Sequence, residues 1–281
     1  MSLRNNRVIY KSGSTFTDLS VNLSNPVSGI ETVQITAATD ALYLGSDLPF
    51  NHRFIDINHS NTSDSSVSVS IWDGSQWIAC VDVIDETKEG LHTFHNAGIL
   101  SWVPNRYSGS WNRTDNTENM SDLADFSIYD MYWVKLTFSG NFSANSSIKY
   151  IGHKFSTDSD LFVQYPDLSS TELMEAFATG KADWHDQAYI AAEYIIQDLR
   201  ERKIIFSKNQ ILDWAIFKNA SVHKTAQLIL NAFGKDYADQ TIKAAQDYQA
   251  AMKLGVFNID KNSDAILDQS EKFIEQGFMS R

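Results

Sequence analysis

This 281-residue chain has one cysteine, four prolines and few basic residues, and each shortage excludes something. With Cys80 alone, no disulfide forms within the chain and cysteine-based zinc sites are ruled out. No run approaches the ~20 apolar residues of a membrane span, so no membrane partner is expected. The opening MSLRNNRVIY lacks the apolar core of a signal peptide, so the expectation is assembly in a cytoplasm. Lys and Arg number 23 against 35 Asp and Glu, a net charge of −12, which argues against a general nucleic-acid binder. A phosphate-cradling glycine loop, G-x-S-x-G and H-E-x-x-H are all missing, and no carboxylate spacing singles out an acid/base pair. The expectation is a protein that is not an enzyme. What is present is ordinary globular usage, 43% hydrophobic and 21% charged. The length fits one large or two modest domains.

The composition changes near residue 168. Residues 1–168 hold 25 Ser, 7 Ala, all four Pro and five of the seven Trp; the remainder holds 7 Ser, 16 Ala and no Pro. Charge divides too: 10 basic against 19 acidic gives −9 before the cut, and 13 against 16 gives −3 after it. Ser and Trp suit turns and sheets, and Ala is the best helix former. The fold class read from this is α+β in separate domains. An N-terminal antiparallel β-sandwich or jelly roll spans 1–165, and a C-terminal helical bundle spans 166–281.

Residues 66–71 alternate Ser with Val67, Val69 and Ile71, a half-buried strand. Asp73-Gly74 follows as a two-residue hairpin signal before a strand over 76–83. Residues 131–138 alternate again, with Tyr132, Val134, Leu136 and Phe138 on one face. Further strands are predicted at 6–10, 31–36, 41–45, 52–58, 99–103 and 147–155. The polar gap 104–128 reads as a surface loop with a helical turn near 121–126. In the second half, Ser169, Ser170 or Thr171 caps a helix to about Thr179. Asp183 caps a second, with Ala188, Ala191, Ile195 and Leu199 on one face. Ser207 and Gln210 form a capping-box pattern. Val222, Ala226, Ile229 and Phe233 mark a helix stopped by Gly234. Ala238, Ile242, Ala245 and Met252 give the last helix its apolar face.

Three groups of residues carry candidate chemistry. His92 and His95, three apart, read as ordinary histidines of a strand or loop; in a strand, side chains three apart point to opposite faces. The Asn-x-Ser/Thr triplets at Asn58, Asn61 and Asn145 read as chance products of an Asn- and Ser-rich sequence. Of the tryptophans, only Trp111, in a polar loop, reads as a contact residue for a sugar face; the others read as packing.

The segment from Asp260 to Glu271 matches a twelve-position calcium loop. Asp260, Asn262 and Asp264 fall at positions 1, 3 and 5, Ile266 offers its carbonyl at 7, Asp268 falls at 9 and Glu271 closes the shell at 12. Ala265 stands where such a loop wants glycine, because a left-handed backbone costs Ala about 1 kcal/mol or more. Two readings stay open: a weak structural Ca²⁺ site, or a polar Asx-rich helix-capping turn that matches by chance; no cofactor is certain.

The α half, over roughly 165–271, resembles the head–tail adaptor (connector) proteins of tailed bacteriophages. The resemblance rests on Leu173-Met174-Glu175-Ala176-Phe177, on Asp198-Leu199-Arg200 with Ile204-Ile205, and on Gln210-Ile211-Leu212-Asp213. It continues through Ala220-Ser221-Val222-His223-Lys224 and Phe233-Gly234-Lys235-Asp236-Tyr237 to Tyr248 and the Asp-rich tail. It implies a helical bundle forming a ring with copies of itself, twelvefold in such proteins, beneath the portal protein and receiving tail or neck proteins. The β half departs from a minimal all-helical adaptor. Its Trp72-Asp73-Gly74-Ser75-Gln76-Trp77, Gly98-Ile99-Leu100-Ser101-Trp102-Val103-Pro104 and Tyr132-Trp133-Val134-Lys135-Leu136 look like β-sandwich modules of phage structural proteins. The whole then resembles a virion neck component past which DNA moves without specific binding, assembled in the host cytoplasm. The rival reading is a decoration or host-glycan-binding sandwich mounted on a helical anchor.

Overall fold

The computed structural model describes residues 6–26, 31–32, 35, 40–105, 111–254 and 257–271. It combines antiparallel sheets with six α-helices among those residues. The chain divides into two compact units, Met1–Gly152 with Asn262–Ile266, and His153–Lys261 with Leu267–Arg281. The change from strand to helix thus falls at Gly152, earlier than the composition places it.

The first unit contains twelve strands among the described residues: β1 Arg7–Ser12, β2 Thr15–Asp18, β3 Glu31–Thr32, β4 Ala41–Ser46, β5 His52–His59, β6 Val67–Trp72, β7 Trp77–Ala79, β8 Val81–Asp85, β9 Gly98–Val103, β10 Thr114–Asn116, β11 Tyr129–Phe138 and β12 Ser147–Gly152. A short helix α1, Ser20–Leu23, follows β2. One sheet runs β2-β1-β4-β11-β6-β7, with β10 added on β11; the other runs β3-β12-β5-β9-β8. Both give side chains to one core: Leu42, Leu44, Val69 and Leu136 from the first, Ile55, Leu100 and Ile151 from the second.

The period-two pattern at 131–138 is met, since Val134, Leu136 and Phe138 enter that core. Three details differ from expectation. The turn after β6 is not a two-residue hairpin: Trp72 pairs with Trp77, leaving four residues in the loop. Asp73 Oδ1 accepts the N–H groups of Ser75 and Gln76, each at 2.8 Å, and this ties the wider turn. Those hydrogen bonds, the one from Gln76 first, hold the Asp73 carboxyl below its ordinary value.

The single strand expected at 76–83 is two. β7 pairs with β6 in the first sheet and β8 with β9 in the second, so the chain changes sheets at Cys80. Strands that switch sheets in this way turn a corner at a bulge or bend. Here the ladder register shifts between Val81 and Ile84, and Asp82 sits at φ 49°.

The gap 104–128 is more than a surface loop, although 106–110 lie outside the described residues. Met120, Leu123 and Ile128 are buried against Ile9, Tyr43 and Trp133 and close part of the outer face of the first sheet. The strand expected at 31–36 also falls partly outside the described residues, and 147–155 ends as strand at Gly152.

The second unit holds α2 Asp158–Gln164, α3 Thr171–Phe177, α4 His185–Glu201, α5 Lys218–Ala232 and α6 Ala238–Leu254. Helix α2 was not foreseen; Thr157 and Asp160 close a capping box at its start and Leu161 buries. Ser170 caps α3 by accepting the Leu173 N–H. Asp183 accepts the His185 N–H at 3.1 Å in the first turn of α4. Ala188, Ala191, Ile195 and Leu199 are buried as their spacing requires. Ser207 and Gln210 form the expected box, on a 3₁₀ turn. In α6 the apolar face is rotated from the one expected. Ala244, Tyr248 and Met252 are buried, while Ile242 is 56% exposed. Tyr248 wins because its ring packs with Ile195, Leu199 and Met252 in the core between helices.

Candidate functional site

In the loop 260–271 several of the side chains expected as calcium ligands accept backbone N–H groups. Ala265 adopts φ 61°, the left-handed conformation that glycine usually supplies there. Asn262 accepts the Asp264 N–H at 3.1 Å and Asp264 accepts the Ile266 N–H at 2.8 Å, two successive Asx turns. The carbonyl of Asp260 accepts the Gln210 amide at 2.8 Å. Glu271, 2% exposed, turns its two oxygens onto backbone: Oε1 accepts the Lys261 N–H at 2.7 Å and Oε2 the Asp268 N–H at 3.1 Å. The expected closing ligand thus holds the loop shut by hydrogen bonds. No group of three or more His, Cys, Asp or Glu placed to hold a metal ion occurs among the described residues.

Trp111 is likewise not an open platform. Its ring lies 5.4 Å from Phe50 and 5.8 Å from Tyr132, the latter edge-on, and it packs against the core shared by the two sheets. Both neighbours come from residues distant in sequence, so the polar composition around Trp111 gave no sign of them.

His92 and His95 lie in a turn-rich segment, the loop of the two alternatives, where their ring centroids are 6.1 Å apart. His92 Nδ1 is 3.3 Å from Asp64 and His95 Nε2 is 3.3 Å from Glu89. Asn61 is fully buried and uses its amide completely. Oδ1 accepts the N–H of Ser63 and of Ser143, and Nδ2 donates to the carbonyls of Ser63 and Thr93. It is a structural pin of that segment, inaccessible to a modifying enzyme.

Polar contacts join the helices of the second unit, among them Lys218 of α5 with Asp160 of α2 at 3.1 Å. Tyr248 of α6 donates its hydroxyl to Asp198 of α4, and Lys224 of α5 lies 4.2 Å from the Tyr194 ring centroid and 5.1 Å from that of Tyr248. Burial, then the Asp198 carboxylate, pushes the Tyr248 phenol far above its usual range. Burial lowers the Lys224 ammonium, against the pull of Asp198. Tyr165 meets His223 Nδ1 at 2.9 Å. These groups fix the helices to one another. Outward, the same unit shows Val163, 82% exposed, Phe206, 67%, and Ile242, 56%.

A cleft of about 430 Å³ opens on the outer face of the seven-stranded sheet. Lys11, Ala41 and Thr137 stand in one row across β1, β4 and β11, and Lys135 pairs with Tyr43 in the next. The methyl of Ala41 leaves the floor low between longer neighbours. Gly13, at φ 59°, turns the chain from β1 to β2 and donates its N–H to the buried Asp40 at 2.7 Å. Asp122, from the covering segment 117–128, accepts from Lys135 Nζ at 2.7 Å, Trp77 Nε1 at 3.0 Å and the Tyr43 hydroxyl at 3.1 Å. Burial raises the Asp122 carboxyl, but the Lys135 hydrogen bond and charge, with Tyr43, outweigh it and hold it below its ordinary value.

Searches of known protein families, curated proteins and solved structures found no match to the chain. No helix among the described residues is long and apolar enough to cross a membrane.

Proposed function

We propose that the chain is a structural virion protein of a tailed phage. In this reading it is a head–tail adaptor or neck component that joins portal to tail as a ring of its own copies. The observation that carries the reading is the surface of the helical unit. Val163 on α2, Phe206 after α4 and Ile242 on α6 are its most exposed large apolar side chains, with Ile190 and Tyr194 of α4 also exposed. Covering a Val, Phe or Ile side chain contributes about 1.5–3 kcal/mol each, which favours a protein neighbour over water. A heterologous contact of this kind closes into a ring when the rotation between neighbours divides a full turn.

The finer fold belongs to the same proposal. The two sheets, with one shared core, are read as a β-sandwich of jelly-roll type. The β unit and the helical unit are read as separate domains, the bundle forming the ring. The site of action is then the virion neck, with assembly in the host cytoplasm. DNA passes nearby without specific binding, in keeping with the chain's net charge of −12, which repels phosphate. The packing of the half-buried Trp111 against Phe50 and Tyr132 weighs against the rival glycan-binding reading at that residue.

Co-expression with the portal protein of the same phage, followed by affinity capture of the portal and native mass spectrometry, tests the assignment. A portal–adaptor complex of ring stoichiometry is expected, weakened by Phe206→Ser with Val163→Ser. Recovery of portal with none of this chain would sink it.

A further inference from the structure

The cleft on the seven-stranded sheet has a chemistry that the assembly reading does not use. We propose that it is a binding site for an acidic sugar: a small ligand carrying one carboxylate and several hydroxyls, of mono- to disaccharide size. This inference does not rest on the ring reading and stands or falls separately from it.

Size sets the first limit. A volume of about 430 Å³ lies within the ~300–1,000 Å³ of small-molecule sites. A single inorganic anion would leave most of it empty. Charge sets the second. Lys135 is paired to Asp122, whose Oδ2 also accepts from Trp77 and Tyr43. Among the described residues Lys11 makes no ion pair; its Nζ lies 5.6 Å from the Phe16 ring centroid. Its charge acts on Asp122 only from beyond ion-pair distance, so in a chain with 35 acidic and 23 basic residues it is the ammonium of the cleft that no carboxylate holds in a close pair. It gives the site one available positive charge, the match for one carboxylate.

The remaining lining selects hydroxyls. Ser14 and Thr137 each donate and accept, and Asp40 adds a buried carboxylate beside the Gly13 turn. An inorganic phosphate meets Asp40 and Asp122 as like charges. A polyol turns its hydroxyls to Asp40 as donors and its own carboxylate to Lys11. The carboxylates thus act against small dianions and in favour of a ligand with separated acid and alcohol groups. The site is built from three strands that neighbour one another only in the sheet, β1, β4 and β11, so its floor is rigid and preformed.

Saturation-transfer NMR and calorimetry on the full chain test this with glucuronate, galacturonate and N-acetylneuraminate. Glucose and inorganic phosphate serve as controls. At least one of the acid sugars is expected to saturate, with glucose and phosphate silent at the same concentration. Lys11→Gln is expected to weaken binding by about tenfold or more, Lys11→Arg to retain it, and Thr137→Val to weaken it by a smaller factor. Lys11 makes no ion pair that the fold needs, so Lys11→Gln is expected to melt like the parent. Thr137→Val keeps the shape should that variant fail. Undiminished binding in both variants overturns the proposal. So does equal competition by phosphate, or the absence of saturation by every acid sugar up to about 10 mM.

Discussion

Lys135 Nζ lies 2.7 Å from Asp122 Oδ2, joining the centre of the seven-stranded sheet to the segment that covers it. The same oxygen takes the Trp77 indole N–H and the Tyr43 hydroxyl, so one carboxylate organises three donors from three strands. Asp122→Ala is expected to destabilise the chain by about 2–3 kcal/mol, because partly buried donors lose their acceptor. Asp122→Asn, which keeps a carbonyl oxygen, is expected to cost less. Urea denaturation followed by tryptophan fluorescence checks both. The folded carboxyl lies below its ordinary value, so its stabilising contribution is complete above the unfolded pKa near ~3.9 and fades as pH falls through the lower folded value. A cost for Asp122→Ala under about 0.5 kcal/mol at neutral pH would contradict the role given to this carboxylate.

A second pH effect comes from β5. His52 is 1% exposed, with Nδ1 2.8 Å from Asn51 Oδ1, and burial, then Arg53, lowers its pKa to about 3. The unfolded state therefore binds a proton that the folded state refuses between about pH 6.5 and 3. Unfolding free energy is expected to rise with pH across that window, by up to about 1.4 kcal/mol per pH unit from this residue. His52→Asn is expected to flatten that slope. An unchanged slope in the variant, measured by denaturant titrations from pH 4 to pH 7, would remove the assignment.

The loop near the end of the described chain supplies a third test. Ala265 at φ 61° pays for a conformation that glycine adopts freely, so Ala265→Gly is expected to stabilise by about 0.5–1 kcal/mol. Glu271→Gln is expected to destabilise by about 1–2 kcal/mol, since one amide oxygen cannot replace two carboxylate oxygens under two backbone N–H groups. Because Glu271 is engaged in closing the loop, 1 mM Ca²⁺ is expected to leave the wild-type melting temperature unchanged. Saturable calcium heat in wild type, lost in Glu271→Gln, would restore the calcium reading.

The parts legible in the sequence were those whose pattern and environment are local. The alternation at 66–71 and 131–138, the buried stripe Ala188, Ala191, Ile195 and Leu199, and the Ser207–Gln210 box depend on residues a few positions apart. The break at Cys80 was invisible because the apolar rhythm runs on while the chain changes sheets. The covering role of Met120, Leu123 and Ile128 was hidden in a polar segment where three apolar residues carry the packing. The cleft could not be read at all, since Lys11, Asp40 and Lys135 meet only through the order β1-β4-β11. The residues of the phage-adaptor resemblance are largely packing positions: Met174, Leu199, Ile211, Ala220 and Tyr248 are all buried. Burial of these positions is what any packed set of helices requires, and it does not bear on the resemblance.

Assembly is the central claim, and the mass of the protein in solution tests it most directly. Mass photometry of the purified full chain over a concentration series, alone and with portal protein, is expected to show a discrete ring-sized species, a dodecamer on the resemblance. Replacing Val163, Phe206 and Ile242 by Ser is expected to return it to the 31.7 kDa monomer. A wild-type chain that stays monomeric at every concentration, with and without portal, contradicts the account.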